Sequence, residues 1–131
     1  MVNCVMATEA DVRRIALSLP DTAEATDDFA FTVLVNGEPK RFAWCWKERI
    51  DPKKPRVPNR SALGLLVANL VDKDFMMSNE PDKYVVDPHY NGYSAVVVRL
   101  AKVRVPELRR LMTESHRLKS TRPRPKRRKR G

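Results

Sequence analysis

Hydrophobic residues recur along the chain in two rhythms, and the changes of rhythm divide it into elements. Val12, Ile15, Ala16 and Leu19 fall at the +3, +4 and +7 offsets of one helical face, with Arg13, Arg14 and Ser18 turned outward. Thr8 and Asp11 ahead of them form a capping-box pair, and Pro20 closes the helix. The period then shortens to two. Phe29, Phe31, Val33 and Val35 alternate with Ala30, Thr32 and Leu34, which predicts a half-buried strand. Asn36-Gly37 suits the positive φ values of a tight hairpin turn, and Phe42, Trp44 and Trp46 alternate on the returning strand with Arg41, Ala43, Cys45 and Lys47. Both tryptophans are expected in the core.

Prolines at 52, 55 and 58 exclude a helix or central strand from Arg49 to Arg60, so that stretch reads as a long basic loop. Leu63, Leu65 and Val67 alternate as in a strand, while Leu63, Leu66, Val67, Leu70 and Val71 also fit a helix. Gly64 weakens the helix, which favours a strand over 63–68 and a short helix over 71–78. Tyr84 to Val86 read as a short strand, Asn91-Gly92 as a second hairpin turn, and Tyr93 to Leu100 as a β-branched central strand. Val105, Leu108, Leu111 and Met112 give a last helix, over 105–118, one apolar stripe. The order predicts an α+β fold: a largely antiparallel sheet with the N- and C-terminal helices packed on one face.

Composition adds bounds. A chain of 131 residues with 42% hydrophobic positions has room for one packed domain. We place it at residues 8–118, after a flexible lead-in (1–7) and before a disordered basic tail (119–131). No apolar run has the length of a membrane span and no secretory h-region opens the chain, so a cytoplasmic protein without a membrane partner is expected; the sequence leaves the oligomeric state open, with a monomer favoured. Cys4 and Cys45 are isolated, and only His89 and His116 accompany them. Neither a zinc set nor a converging nucleophile and base is visible, which points to a non-enzymatic protein without a cofactor.

The formal charge of +10 is unevenly placed. Residues 119–131 carry +8, from Lys119, Arg122, Arg124, Lys126, Arg127, Arg128, Lys129 and Arg130. Residues 1–39 carry −5, residues 40–60 carry +6 and residues 61–118 carry +1. A proline-containing basic tail with no apolar face is either an electrostatic arm for DNA or RNA phosphates or a solvated terminus without a ligand. The acids Glu9, Asp11, Glu24, Asp27 and Asp28 are candidates for a hard cation or a basic partner, or for a solubilising face.

MATEADVRRIALSLPDTAEA, FAW, and DPHYNGYSAVVVRL followed by ELRRLMTES resemble the MmcQ/YjbR family over roughly residues 6–118. The resemblance implies a frataxin-like (CyaY-like) α+β fold, described as a double wing, and a DNA-binding label. The chain departs from similar sequences at Asp87, where Thr is common, at Ser94, where Pro is common, and at Ser115-His116, where an Ala-Trp pair is common. It also gains Glu38-Pro39 in the first hairpin. Asp87 places an acid beside the second wing, where it would repel a phosphate.

The expected nucleic-acid surface is therefore the first wing and its loop, through Lys40, Arg41, Lys47, Arg49, Lys53, Lys54, Arg56 and Arg60. The tail adds Arg124, Lys126, Arg127, Arg128, Lys129 and Arg130. His89 can pair with a phosphate and Tyr90 can stack on a base; alternatively, Asn91-Gly92 simply turns the chain and the tyrosines pack across strands. No recognition helix with base-reading side chains is visible, so binding of DNA, or of RNA, would be mainly sequence-independent. The alternative function is a protein- or small-ligand-binding module that uses the PHYNGY groove, with the tail incidental.

Overall fold

A computed structural model describes residues 6–26 and 29–121. The expected α+β architecture is present among them: a five-stranded antiparallel meander in the order β1-β2-β3-β4-β5, with three α-helices. Helix α1 (Glu9–Ser18) starts on a true capping box, in which Thr8 accepts from the Asp11 amide and Asp11 accepts from the Thr8 amide. Such a cap stabilises a helix by about 1 kcal/mol.

The acidic connector holds an unexpected edge strand, β1 (Thr22–Glu24), paired with β2 (Ala30–Val35). Three residues are too few to show a period. β2 and β3 (Glu38–Glu48) meet at Asn36-Gly37, both at positive φ, so Glu38 and Pro39 belong to the strand ladder opposite Val35 and Leu34. β3 breaks its alternation at Phe42, where a register shift against β2 leaves Phe42 without a partner. Phe42 and Ala43 consequently both join the main core, and Trp44 and Trp46 fall on the other side of the sheet, half-buried. The tryptophans are thus not part of the main core, contrary to expectation.

The proline-rich loop is shorter than expected, because β4 (Val57–Leu66) begins before Pro58 and carries Arg60. Pro58 is tolerated there because β4 is flanked by β5 (Ala95–Arg99) only from Ala62 onward, leaving residues 57–61 bonded on one side. Helix α2 (Leu70–Asn79) follows, with Asn69 as its cap. Tyr84 to Val86 do not form a strand: Tyr84 makes a single bridge to Val98, and the Val85 amide donates to the Val97 carbonyl. Pro88–Tyr90 is a 3-10 turn. Asn91 at φ −63° and ψ 133°, then Gly92 at φ 78°, make a type II turn closed by the Tyr93 amide on the Tyr90 carbonyl. The second wing is accordingly a packed connector and not a hairpin.

Helix α3 (Val105–Thr121) extends three residues beyond the expected end of the domain, and Met6 bridges Arg104 while Ala7 is buried ahead of the expected start. Its Leu108 and Met112, with Val12, Ile15 and Ala16 of α1, pack on Phe31, Val33, Phe42, Leu63, Leu65, Val96 and Val98. The Ser115-His116 departure has a local reason. Ser115 Oγ donates to the Phe42 carbonyl at 2.5 Å and accepts from the Leu66 amide at 2.8 Å, while the His116 ring stands edge-on to Phe42 and bonds the Pro20 carbonyl. The unpaired backbone around the Phe42 irregularity is thereby satisfied from α3.

Candidate functional site

The face of the sheet opposite α1 and α3 carries the features of interest. Trp44 lies against Gly64, its cross-strand partner, so closely that a Cβ at position 64 would stand 2.1 Å from the indole nitrogen. Glycine is required there by the close approach. Trp44 Nε1 donates to the Tyr90 hydroxyl at 3.0 Å, and the rings of Trp44, Tyr93 and Tyr90 stack in succession at 6.5 and 6.1 Å between centroids. Burial raises the Tyr90 pKa, and Trp44 donation opposes the rise.

Asp87 is the hub beside this stack. Its carboxylate accepts from Trp46 Nε1 at 2.9 Å, from Arg56 Nη2 at 2.5 Å and from the His89 amide at 3.0 Å. Burial pushes this carboxyl up, but the bonds from Trp46, His89 and Arg56 outweigh it and hold its pKa below the usual carboxylate range. Asp87 is therefore an internal anchor with its charge matched, and not an isolated acid set against a phosphate.

The predicted cations separate into groups. Arg56 is engaged: besides Asp87, its Nε donates to the Lys47 carbonyl at 2.8 Å. Arg60 faces α1, where it pairs with Glu9 and lies 5.2 Å from the Phe29 ring centroid, so it does not share a surface with Arg56. Arg49 folds back on the loop, donating to the carbonyls of Lys54 at 2.9 Å and Pro52 at 3.4 Å. Asp51 closes the same loop by accepting from the Lys53 amide. Held in this way, Lys53 and Lys54 are exposed at its tip. Lys40, ion-paired with Glu38, and Arg41 are exposed near the other end of β3, about 23 Å from Lys47 at the usual strand rise.

Between the loop and the 86–89 segment runs a groove of about 690 Å³, lined by Trp46, Arg49, Pro52, Arg56 and His89 among others. His89 is exposed on its wall, whereas Tyr90 is half-buried in the stack and does not present a free face like an exposed base-stacking platform. Arg124, Lys126, Arg127, Arg128, Lys129 and Arg130 lie outside the described residues, as do Asp27 and Asp28. The other three candidate acids are each taken by an arginine: Glu24 by Arg13, Glu9 by Arg60 and Asp11 by Arg14. They are dispersed over α1 and β1 and do not converge.

Sequence reasoning missed Lys73, whose ammonium is buried against this face and donates to the carbonyls of Tyr90 at 2.5 Å and Tyr93 at 2.9 Å. Nothing in a single lysine between Asp72 and Asp74 signals burial. Gly64 did carry a signal, since a glycine inside a strand marks a close approach.

Against known proteins, no family model matches the chain. An uncharacterized protein of Mycobacterium bovis and its counterparts in two strains of Mycobacterium tuberculosis are each 33% identical over 111 residues, covering 84% of this chain and 86% of theirs. The chain belongs to the family of these mycobacterial proteins. Among solved structures it is similar to the Deinococcus radiodurans protein DR2400, a DUF419 domain, which is the MmcQ/YjbR type. The TM-score is 0.65 at 23% identity, over 89% of this chain and 81% of that one, and the shared feature is the fold. No helix among the described residues is long and apolar enough to cross a membrane.

Proposed function

We propose that this member of the family is a non-enzymatic nucleic-acid-binding protein of the MmcQ/YjbR type, with DNA as the favoured partner. The observation that carries the reading is the construction of the 49–56 loop. Arg49, Asp51 and Arg56 hold its backbone, and Lys53 and Lys54 stand exposed at its tip. Two lysines on a held backbone lose less freedom on meeting phosphates than the same side chains on a slack loop. Lys47 stands on β3 at the foot of the loop, Lys40 and Arg41 form a separate basic group near the far end of the strand, and the basic residues 122–131 add long-range attraction. Contacts of this kind position a duplex and read no sequence.

A salt titration of duplex DNA binding tests this on the full chain and on a truncation ending at Thr121, the last residue of α3. Seven basic residues lie beyond that point. If all of them neutralise phosphates, the slope of log K against log salt flattens by about 6 on truncation. Replacing Lys53 and Lys54 with Ala in the truncated chain flattens the residual slope by about 2. A truncated chain with no DNA affinity at low salt would overturn the proposed loop surface and leave only the terminal charges.

A further inference from the structure

Two lysines of this protein are equally withdrawn from solvent, Lys73 and Lys83, each exposing 8%. Their surroundings differ in kind. Lys83 sits between two carboxylates, Glu80 and Glu107, which match its charge. Lys73 makes no ion pair among the described residues; it has the two backbone carbonyls of Tyr90 and Tyr93. An ammonium has three N–H donors, so this one keeps a third, and no carboxylate is in contact with its charge. Burial lowers the Lys73 pKa and the nearby Asp74 opposes the fall, whereas Lys83 is raised by its acids against the burial penalty.

Lys73 also lines a cleft of about 460 Å³ between α2 and the 85–92 connector. That is within the range of small-molecule sites. The walls are largely apolar: Leu70 and Met77 come from α2, Val85 and Val86 from the connector, and Val97 from β5. Leu70 and Val86 are exposed large hydrophobic residues at 44% and 77%, a state that a ligand's apolar body would relieve.

We propose that this cleft binds a small monocarboxylate with an apolar chain, its head group on the Lys73 ammonium and its chain along Val85, Val86, Met77 and Leu70. A single negative charge is specified by the neighbours. Asp74 and Asp87 also line the cleft, the latter matched by Arg56, so each further negative charge on a ligand meets their repulsion, and a dianion such as a phosphate monoester is disfavoured against a carboxylate hydrogen-bonded to the Lys73 ammonium. The site is separate from the loop carrying Lys53 and Lys54, neither of which lines it.

Octanoate is the probe, with octanol as its uncharged control, each titrated at millimolar concentration into the full-length protein while backbone amide resonances are followed. Octanoate is expected to bind saturably, shifting amides of Leu70–Met77 and Val85–Gly92, and about tenfold more tightly than octanol, the difference expected of one charge-assisted hydrogen bond. Lys73→Met should abolish that preference. Equal binding of the two ligands, no saturable binding, or shifts confined to the 49–56 loop or residues 122–131 would each overturn the proposal. The comparison of ligands on the unmutated protein decides the matter even if Lys73→Met does not fold. Its failure leaves the DNA titration untouched, since the two readouts share no variant.

Discussion

The two faces of the sheet are stabilised by different physics. On the helix side, Phe31, Phe42, Leu63, Leu65, Leu108 and Met112 are fully enclosed, and the polar groups that enter, Ser115 and His116, serve the backbone carbonyls of Phe42 and Pro20. On the other side the apolar cluster is small: Ala62, Val85 and Val97, with Trp46 and Tyr90 packed against it. What completes it is a set of directed bonds, from Trp44 to Tyr90, from Trp46 and Arg56 to Asp87, and from Lys73 to the 90–93 turn. Burial is non-directional and tolerates neighbours of similar volume, while a hydrogen-bonded face demands particular atoms at particular places. The face built from particular atoms is the one bordered by both grooves.

Substitutions that remove one kind of support at a time test this contrast. The largest effect belongs to the dry face: Phe31→Ala empties a fully buried aromatic site and should cost about 3–5 kcal/mol in denaturant unfolding, with no dependence on pH beyond that of the parent. Next is Gly64→Ala. The added Cβ would overlap the Trp44 indole at 2.1–2.7 Å, so the ring must leave its place and its bond to Tyr90. A loss of about 1–3 kcal/mol is expected, accompanied by a change in tryptophan fluorescence that Phe31→Ala does not produce. Parental stability and emission in Gly64→Ala would mean that the indole is not held where the face requires it.

The same contrast explains what could be read from the sequence. The helices, the first hairpin and the apolar stripe of α3 follow from periodicity, because helix-side burial repeats with the geometry of the element. Periodicity failed where the backbone does: the irregularity at Phe42 moved Trp44 and Trp46 to the other face, and the strand expected over Tyr84–Val86 is a single bridge to Val98 ahead of a 3-10 turn at Pro88–Tyr90. The basic loop was legible as composition, but the roles within it were not. Arg49 and Arg56 hold the loop and Arg60 pairs with α1, and these assignments depend on partners 3 to 51 residues away in sequence. Asp87 was read as an obstacle to phosphate because Arg56, its match, is 31 positions distant. Lys73 left no trace in the pattern, since its ligands are carbonyls, which every residue possesses.

The smallest predicted effect is the one that separates the faces by their chemistry. Asp87→Asn keeps one oxygen, able to serve Trp46 and Arg56 on one side or the His89 amide on the other but not both, and removes the charge facing Arg56, whose side chain is 21% exposed. At neutral pH a loss of about 1–2 kcal/mol is expected, between a neutral and a charge-assisted hydrogen bond. The folded protein holds the Asp87 carboxyl below the value of an unfolded chain, about 3.9. Its contribution is complete above that value and disappears as pH falls through the lower folded one. Parent and Asp87→Asn should therefore differ in stability at pH 7 and converge toward pH 2, while the deficit of Phe31→Ala persists across that range. Asp11, Glu24 and Glu114, also held low by their partners, steepen the acid limb of both proteins alike, so the difference between the two curves isolates Asp87. A constant gap between parent and Asp87→Asn from pH 7 to pH 2 would show that the aspartate acts through its shape, and the charge-matched anchor under the 49–56 loop would have to be abandoned.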